Sequence, residues 1–387
     1  MPKVILKNIG TIVSGDISNP IIDGDAILIE DDKISRIGAM MDMPVDAAET
    51  VIDCAGTTVT PGLIDSHCHN VLGDYTPRQK MLDFIESAVH GGVTTFISAG
   101  EVHLPGRPKD PAGVKALAML AAKSFAAYRP GGGKVMGGSV ILEKGLTEAD
   151  FRELAAEGVR VVGEVGLGSI KDPDEAAPMV RWAKAAGMTV MMHTGGTSIP
   201  GSSTVTADMV MRTDPDVVSH INGGPTAIAY DEMKKLVTAT EYALEIVHCG
   251  NPKIAVEAAR ACIEAGALHR VIIGNDAPSG TGVVPLGILR VINHLSSLTP
   301  MAPEAVICMA TGNTAKVYGL NRGIIASGRE ADLVIMDAPM GSVGDDALSA
   351  IAAGDVPAVS LVMVDGKVVV SKSRNTPPPK RNYSRIA

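Results

Sequence analysis

Through the middle of the chain, short apolar runs rich in β-branched residues alternate with segments whose apolar positions recur at helical spacing. Eight such runs are predicted as strands: Leu63 to Cys68, Thr94 to Ala99, Val135 to Val140, Val159 to Val165, Thr189 to His193, Val217 to His220, Leu244 to Val247 and Val271 to Gly274. Helical patterns follow them, among others Lys80 to His90, Thr147 to Ala156, Asp174 to Ala186, Thr226 to Thr240 and Pro252 to Ala265. A strand that is apolar on both faces and followed by a helix belongs to a parallel sheet covered by helices. Eight such units over about 260 residues predict a (β/α)8 TIM barrel of the α/β class rather than an open doubly wound sheet. No GxGxxG follows the first strand, which argues against a dinucleotide site.

The two ends are patterned differently. Val4 to Ile12, Ala26 to Glu30, Lys33 to Ile37 and Val51 to Asp53 are short β-type runs bounded by turns, and Asp332 to Asp337, Ser360 to Val364 and Lys367 to Val370 repeat that style. A small β-sandwich assembled from both termini is expected, with residues 1–58 and 326–387 enclosing a barrel at 59–325. The tail KSRNTPPPKRNYSRIA is basic and Pro-rich, and reads as a surface extension or an oligomer contact.

Composition narrows the function. The 387 residues are 46% hydrophobic and 20% charged, which places the chain among globular proteins. Aromatics make up 3% and the formal net charge is −9, so neither a stacking platform nor a phosphate-binding field for nucleic acid is indicated. No apolar run is long enough for a membrane span, and the N-terminus lacks a signal-type stretch, so a cytoplasmic protein is expected. Five cysteines without a CxxC spacing suit neither a disulfide framework nor a thiolate zinc site.

In a barrel, side chains at the C-terminal strand ends share one mouth. The first strand ends Asp65-Ser66-His67-Cys68-His69, and a side-chain period of two turns His67 and His69 to one face. Alone, such a pair is as consistent with surface or core histidines as with a metal site. Glu164, His193, His220 and Asp276 end four further strands; each taken singly can be a helix cap or a hydrogen-bonded core residue. Together the six nitrogen and oxygen ligands suit two hard or borderline divalent ions, zinc with iron or manganese. His67, His69 and Asp276 are assigned to one ion, His193 and His220 to the other, and Glu164 to a bridge. Such ions lower the pKa of bound water from about 15.7 to about 7, which supplies a hydroxide nucleophile at neutral pH. Asp276 is the expected proton carrier, taking the hydroxide proton and delivering it to a leaving nitrogen. Ser66 has no GxSxG elbow around it.

Secondary candidates are Arg107 and Lys109, in a loop that either binds a substrate carboxylate or is a solvated charged turn. The run from Gly274 to Gly282 can cradle an anion or simply hold Asp276, and the Gly/Thr/Ser-rich loop from His193 to Ser203 can cover a substrate. His248 either touches substrate or lines the mouth, while His90, His103, His269 and His294 read as structural or surface residues.

The PGLIDSHCH of the first strand, the His193, His220 and Asp276 strand ends, and the late ADLVIMD and VMVDGKVV resemble the amidohydrolase superfamily over essentially the whole chain. That resemblance implies a metal-dependent barrel flanked by a β-sandwich. Many members bridge their metals with a carboxylated lysine on the fourth strand, where this chain has Glu164, so the bridge is expected to form without carbon dioxide. DYTPRQK, HGGVTT, PGRPKD, VILEKGLTE, GEVGLG, MHTGGTSIPGSSTVTAD, VSHINGGPTAI, GNDAPSGTG, PLGILR and KSRNTPP are similar to a branch of the superfamily that opens cyclic enamides in nicotinate fermentation. This implies hydrolysis of 6-oxo-1,4,5,6-tetrahydronicotinate to 2-formylglutarate and ammonia, a Zn2+ and Fe2+ pair or two Zn2+, and a homotetramer. The rival readings are an adenine-deaminase-like enzyme, a dihydropyrimidinase-like cyclic amidase and a noncatalytic assembly protein.

Overall fold

The fold is described from a computed structural model covering residues 3–44, 48–70, 81–102, 104, 106–197, 203–224, 228–278 and 282–386. Eight parallel strands form two arcs. One arc contains the first three in chain order, Leu63–Cys68, Val93–Ser98 and Lys134–Met136; the other contains Val161–Val165, Thr189–Met192, Val217–Val218, Ala243–Val247 and Val271–Gly274. Hydrogen bonds join the arcs on both sides. Val140 N–H donates to the Val161 carbonyl and Gly163 N–H to the Val140 carbonyl; on the other side His69 N–H donates to the Ala277 carbonyl and Asp276 N–H to the His67 carbonyl.

One apolar cluster takes Ile64, Ile97, Val161, Met191, Val217, Ala243 and Ile272 from seven of these strands, with Met136 of the eighth packed against it. It forms a floor. Residues two further along a strand share that face one layer higher; Ala99 of the second strand stays in the apolar cluster, whereas on six others the sequence changes to Ser66, Gly163, His193, Ser219, Glu245 and Gly274. The opposite strand faces pack with the helices in a larger cluster that includes Phe84, Phe96, Phe151, Val162, Leu244, Ile273 and Leu289.

Two predicted strands are shorter than their apolar runs. The third ends at Met136, before Gly137-Gly138, where Gly138 takes φ +82°, and regains sheet geometry only at Val140. The sixth ends at Val218, since His220 adopts φ +36°, outside the extended region.

A β-rich unit draws on both chain ends. Its five-stranded sheet runs Ser384–Arg385, Thr50–Asp53, Lys3–Lys7, Ala26–Glu30, Lys33–Gly38; its six-stranded sheet runs Lys367–Val370, Ala358–Val364, Leu333–Asp337, Thr58–Pro61, Thr11–Val13, Ile21–Ile22. Ile12, Ile27, Ile29 and Ile52 meet Leu333, Ile335, Leu361 and Met363 in its core. The basic tail folds back: Arg381 pairs with the buried Asp337 and Ser373 Oγ donates to the His90 carbonyl. All five cysteines are buried, and none forms a disulfide. Among the described residues no helix is long and apolar enough to cross a membrane.

Lys134, at the start of the third parallel strand, locks this unit to the parallel sheet. Its ammonium lies 2.7 Å from Glu330, 2.9 Å from Asp332 and 2.5 Å from Asp365, and the lysine side chain is 7% exposed. Breaking a buried ion pair from one side leaves uncompensated charge and costs about 3–5 kcal/mol. Arg322 and Arg129 stand on Glu330 and Asp365 and offset part of that cost. Lys134→Met is therefore expected to lower the unfolding free energy by about 3 kcal/mol, and a urea midpoint equal to that of the parent protein would show the lock to be dispensable.

Candidate metal centre

The six strand-end residues converge. His67, His69 and Asp276 form one group of potential ligand atoms within 4.8 Å of one another, and Glu164, His193 and His220 form a second. All six are buried. Glu164 sits between the groups: its Oε2 is 3.6 Å from Nε2 of both His67 and His69, whereas its Oε1 is 2.6 Å from His220 Nε2 and 3.8 Å from His193 Nδ1. One carboxylate thus presents a different oxygen to each triad.

The first triad has the dimensions of a coordination sphere. Two atoms bound at about 2.0–2.1 Å to one tetrahedral ion lie about 3.3–3.4 Å apart. His67 Nε2 and His69 Nε2 are 3.3 Å apart, and Asp276 Oδ1 is 3.3 Å from His69 Nε2 and 3.6 Å from His67 Nε2. The donors fit a divalent ion. The second triad is drawn tighter by the short Glu164–His220 contact. Its histidines face Glu164 through His193 Nδ1 and His220 Nε2, while the opposite ring nitrogens, His193 Nε2 and His220 Nδ1, are buried without a hydrogen-bond partner among the described residues.

Electrostatics point the same way. Burial alone would depress the His67 imidazole, but Glu245, Glu164 and Asp276 outweigh it and hold it well above the usual histidine value. His220 is likewise raised against its burial by Glu164 and Asp276. Burial pushes Glu164 upward, yet His220 and His67 bring it well below the ordinary carboxylate range; Asp276 is also lowered against its burial, by His67 and His69. Carboxylates that stay ionised and that raise the histidines beside them mark a site of negative potential, where a divalent ion would take the place of the histidine protons.

Local backbone explains how the strand ends aim these groups. His220 and Asp276 both lie at positive φ, +36° and +59°, conformations that L-residues rarely adopt outside glycine and asparagine. Such strain persists only where surrounding contacts fix it. Asp276 is fixed by its N–H on the His67 carbonyl, and Asn275 N–H donates to buried Asp65. Asp65 also receives the His67 N–H, and burial pushes its carboxyl up to about 7.

Sequence reasoning missed Glu245. This fully buried residue of the seventh strand accepts from Ser66 Oγ at 2.5 Å, from His67 Nδ1 at 2.7 Å and from the His220 N–H at 3.2 Å. Holding the Nδ1 proton of His67 leaves Nε2, the atom facing the triad, with its lone pair free. The available signal was an acid inside the apolar strand ALEIV.

Gly274, at the end of the eighth strand, keeps the same corner open. A Cβ there would lie 2.7 Å from the His67 Cβ and 2.9 Å from Ser66 Oγ. Gly274→Ala is expected to displace His67 and to cost about 1–3 kcal/mol of stability, as overpacked cores do. Bound metal per chain should fall with it, and unchanged metal content and thermal midpoint would contradict this reading.

Arg107 and Lys109 are not drawn into the triads. Arg107 Nη2 lies 2.8 Å from the buried Glu143, which also accepts the Ser169 N–H, while Lys109 is exposed. His248 lines a cavity outside the triads, together with His294. Residues 198–202 of the Gly/Thr/Ser-rich loop, 279–281 of the glycine-rich run, His103, Pro105 and the DYTPRQK segment at 74–80 lie outside the described residues.

The amidohydrolase family model matches residues 58–369. Enamidase of Eubacterium barkeri is 62% identical over 381 residues, covering 98% of this chain and 99% of that protein. Adenine deaminase 3 of Rhizobium meliloti (strain 1021) is 25% identical over 341 residues, covering 82% of this chain and 52% of that protein. A crystal structure of enamidase superposes with a TM-score of 0.97 at 61% identity, over 99% of this chain and 100% of that one. A β-aspartyl dipeptidase from Fervidobacterium islandicum AW-1 shares the fold, with a TM-score of 0.65 at 18% identity over 96% of each chain.

Proposed function

The chain belongs to the amidohydrolase family, and from that premise we propose that it is a metal-dependent hydrolase opening a cyclic enamide, with 6-oxo-1,4,5,6-tetrahydronicotinate as substrate and 2-formylglutarate and ammonia as products. The observation that carries this reading is the Glu164 carboxylate set between two triads, in a chain 62% identical to enamidase over nearly its whole length. In this reading the two arcs are one closed (β/α)8 barrel at 59–325, the β-sandwich comes from 1–58 and 326–387, and the enzyme is a cytoplasmic homotetramer.

His67, His69 and Asp276 would hold one divalent ion and His193 and His220 the other, with Glu164 shared, zinc and iron being the proposed pair. Such a pair, when bound, supplies an acidified water and polarises the lactam carbonyl. The chain's own groups do the rest. Glu245 fixes the His67 ring, the floor of apolar residues excludes water from below, and Asp276 accepts the proton of the attacking water and passes it to the ring nitrogen as the C–N bond breaks. The released enamine tautomerises to an imine, whose hydrolysis gives the aldehyde and ammonia. The substrate carboxylate would lie towards Arg107 and Lys109, although Glu143 already counters the Arg107 charge.

The test is a substrate panel with the metal-loaded enzyme. Loss of the tetrahydro-oxonicotinate lactam with one ammonia released per ring supports the proposal. Ammonia from adenine without ring opening, or turnover of dihydropyrimidines in preference to the enamide, would replace it with a rival reading.

A further inference from the structure

Asn70 follows His69 of the first triad directly, so their Cα atoms are about 3.8 Å apart. It stands where the first strand is clasped from both sides: Ala99 N–H donates to the Cys68 carbonyl, His69 N–H donates to the Ala277 carbonyl, and His69 Nδ1 lies 3.1 Å from the Gly100 carbonyl oxygen. Asn70 is 0% exposed, and neither its Nδ2 nor its Oδ1 meets a hydrogen-bond partner among the described residues. Most buried amides are paired at least once. Here a donor and an acceptor are both left over, one residue from the centre. Depth does not set Asn70 apart from groups that meet substrate, since His67 and His69 are themselves 0% and 2% exposed.

The chemistry of the amide restricts what can meet it. A divalent ion would engage Oδ1 and be opposed by Nδ2–H, and a carboxylate would accept from Nδ2 and leave Oδ1 unmet. A carbonyl oxygen and an N–H side by side on one edge satisfy both atoms at once. An open-chain secondary amide is trans and carries these groups on opposite edges, whereas a small lactam ring forces the bond cis and brings them together.

We propose that Asn70 is a specificity-determining contact that reads the cis-amide edge of the substrate ring, Nδ2–H donating to the lactam carbonyl and Oδ1 accepting from the ring N–H. This rests on the reading that the centre hydrolyses a cyclic amide, and adds the residue by which it prefers one to an open-chain amide. The second lone pair of the carbonyl oxygen stays available to the centre. Asp276 is left free to protonate the nitrogen lone pair released as the C–N bond breaks, because the N–H that Asn70 holds lies in the ring plane.

Isothermal titration of metal-loaded Asp276→Asn, the variant expected to bind a ring without opening it, tests this. The ligands are 6-oxopiperidine-3-carboxylate, its N-methyl derivative and the open-chain N-methylglutaramate. The lactam should bind about tenfold or more tighter than either of the others, since each of those leaves a buried atom of Asn70 unpaired. Adding Asn70→Leu should abolish both preferences with bound metal per chain unchanged, and Asn70→Ala, which adds no bulk, reads the same ratios if leucine is not accommodated. Preferences that survive both substitutions, all three ligands weakened alike, or metal lost with the side chain would each overturn the assignment. Turnover of the enamide by the parent protein is read apart: its absence with the Asn70-dependent preference intact would change the ring and keep the contact, whereas turnover without that preference would remove the contact alone.

Discussion

Asp276→Asn is expected to lower turnover by about 10³–10⁴-fold, the upper range for removing a positioned acid–base group. Asn has nearly the shape of Asp and retains an oxygen that can face His67 and His69, but it cannot take up a proton. Of the six strand-end residues Asp276 has the most accessible side chain, 10% against 5% or less for the others. This is the position a proton carrier needs, since the group must meet both solvent-derived water and the leaving nitrogen. The backbone hydrogen bond from Asp276 N–H to the His67 carbonyl does not involve the side chain, so the strand end should hold its form in the variant. Two measurements separate the roles. Metal content near that of the parent, with turnover collapsed, identifies proton transfer as what was lost; turnover within a few-fold of the parent would remove Asp276 from the mechanism.

The residues that converge at the centre were legible because their chemistry interrupts apolar strands. His67, His69, Glu164, His193, His220 and Asp276 each lie at the end of a strand that begins in an apolar run such as Leu63-Ile64, Val161-Val162, Val190-Met191-Met192, Val217-Val218 or Val271-Ile272-Ile273, and a metal-ligating side chain at such a place needs a reason. Strand lengths were less legible. Hydrophobicity continues through Val135 to Val140 and Val217 to His220, but pairing stops where Gly138 and His220 turn the backbone to positive φ, and apolar runs carry no record of that. The lock between Lys134 and Asp332 spans 198 residues of chain and joins two groups that each look like ordinary surface charges in sequence. Nothing local distinguishes them. The proton-carrying role of Asp276 and the positioning role of Glu245 differ in the same way: the first follows from a strand end, whereas the second exists only through the packing of the seventh strand beside the first.

Glu245 gives the other large expected effect, and it is one on metal retention more than on the chemical step. Its carboxylate collects three donors: the Ser66 hydroxyl, the His67 Nδ1–H and the His220 N–H. Glu245→Leu would leave all three buried without an acceptor, and would free the His67 ring to carry its proton on Nε2, where it opposes a cation. Loss of such an outer partner typically costs about 10–100-fold in metal affinity or activity. Glu245→Leu is expected at the top of that range, measured by competition with a chelator. Glu245→Gln should recover much of it. A glutamine can set its carbonyl oxygen towards His67 and His220 and its amide towards Ser66, whose hydroxyl accepts as readily as it donates. What the glutamine lacks is the negative charge that raises His67, so its deficit relative to the parent isolates the charge from the hydrogen bonds. A purely structural role predicts a different pattern: Leu and Gln would lower thermal stability together, and the metal affinity of the folded fraction would equal that of the parent. That outcome would place Glu245 in the packing of the floor and leave His67 oriented by Asp65 and the backbone alone.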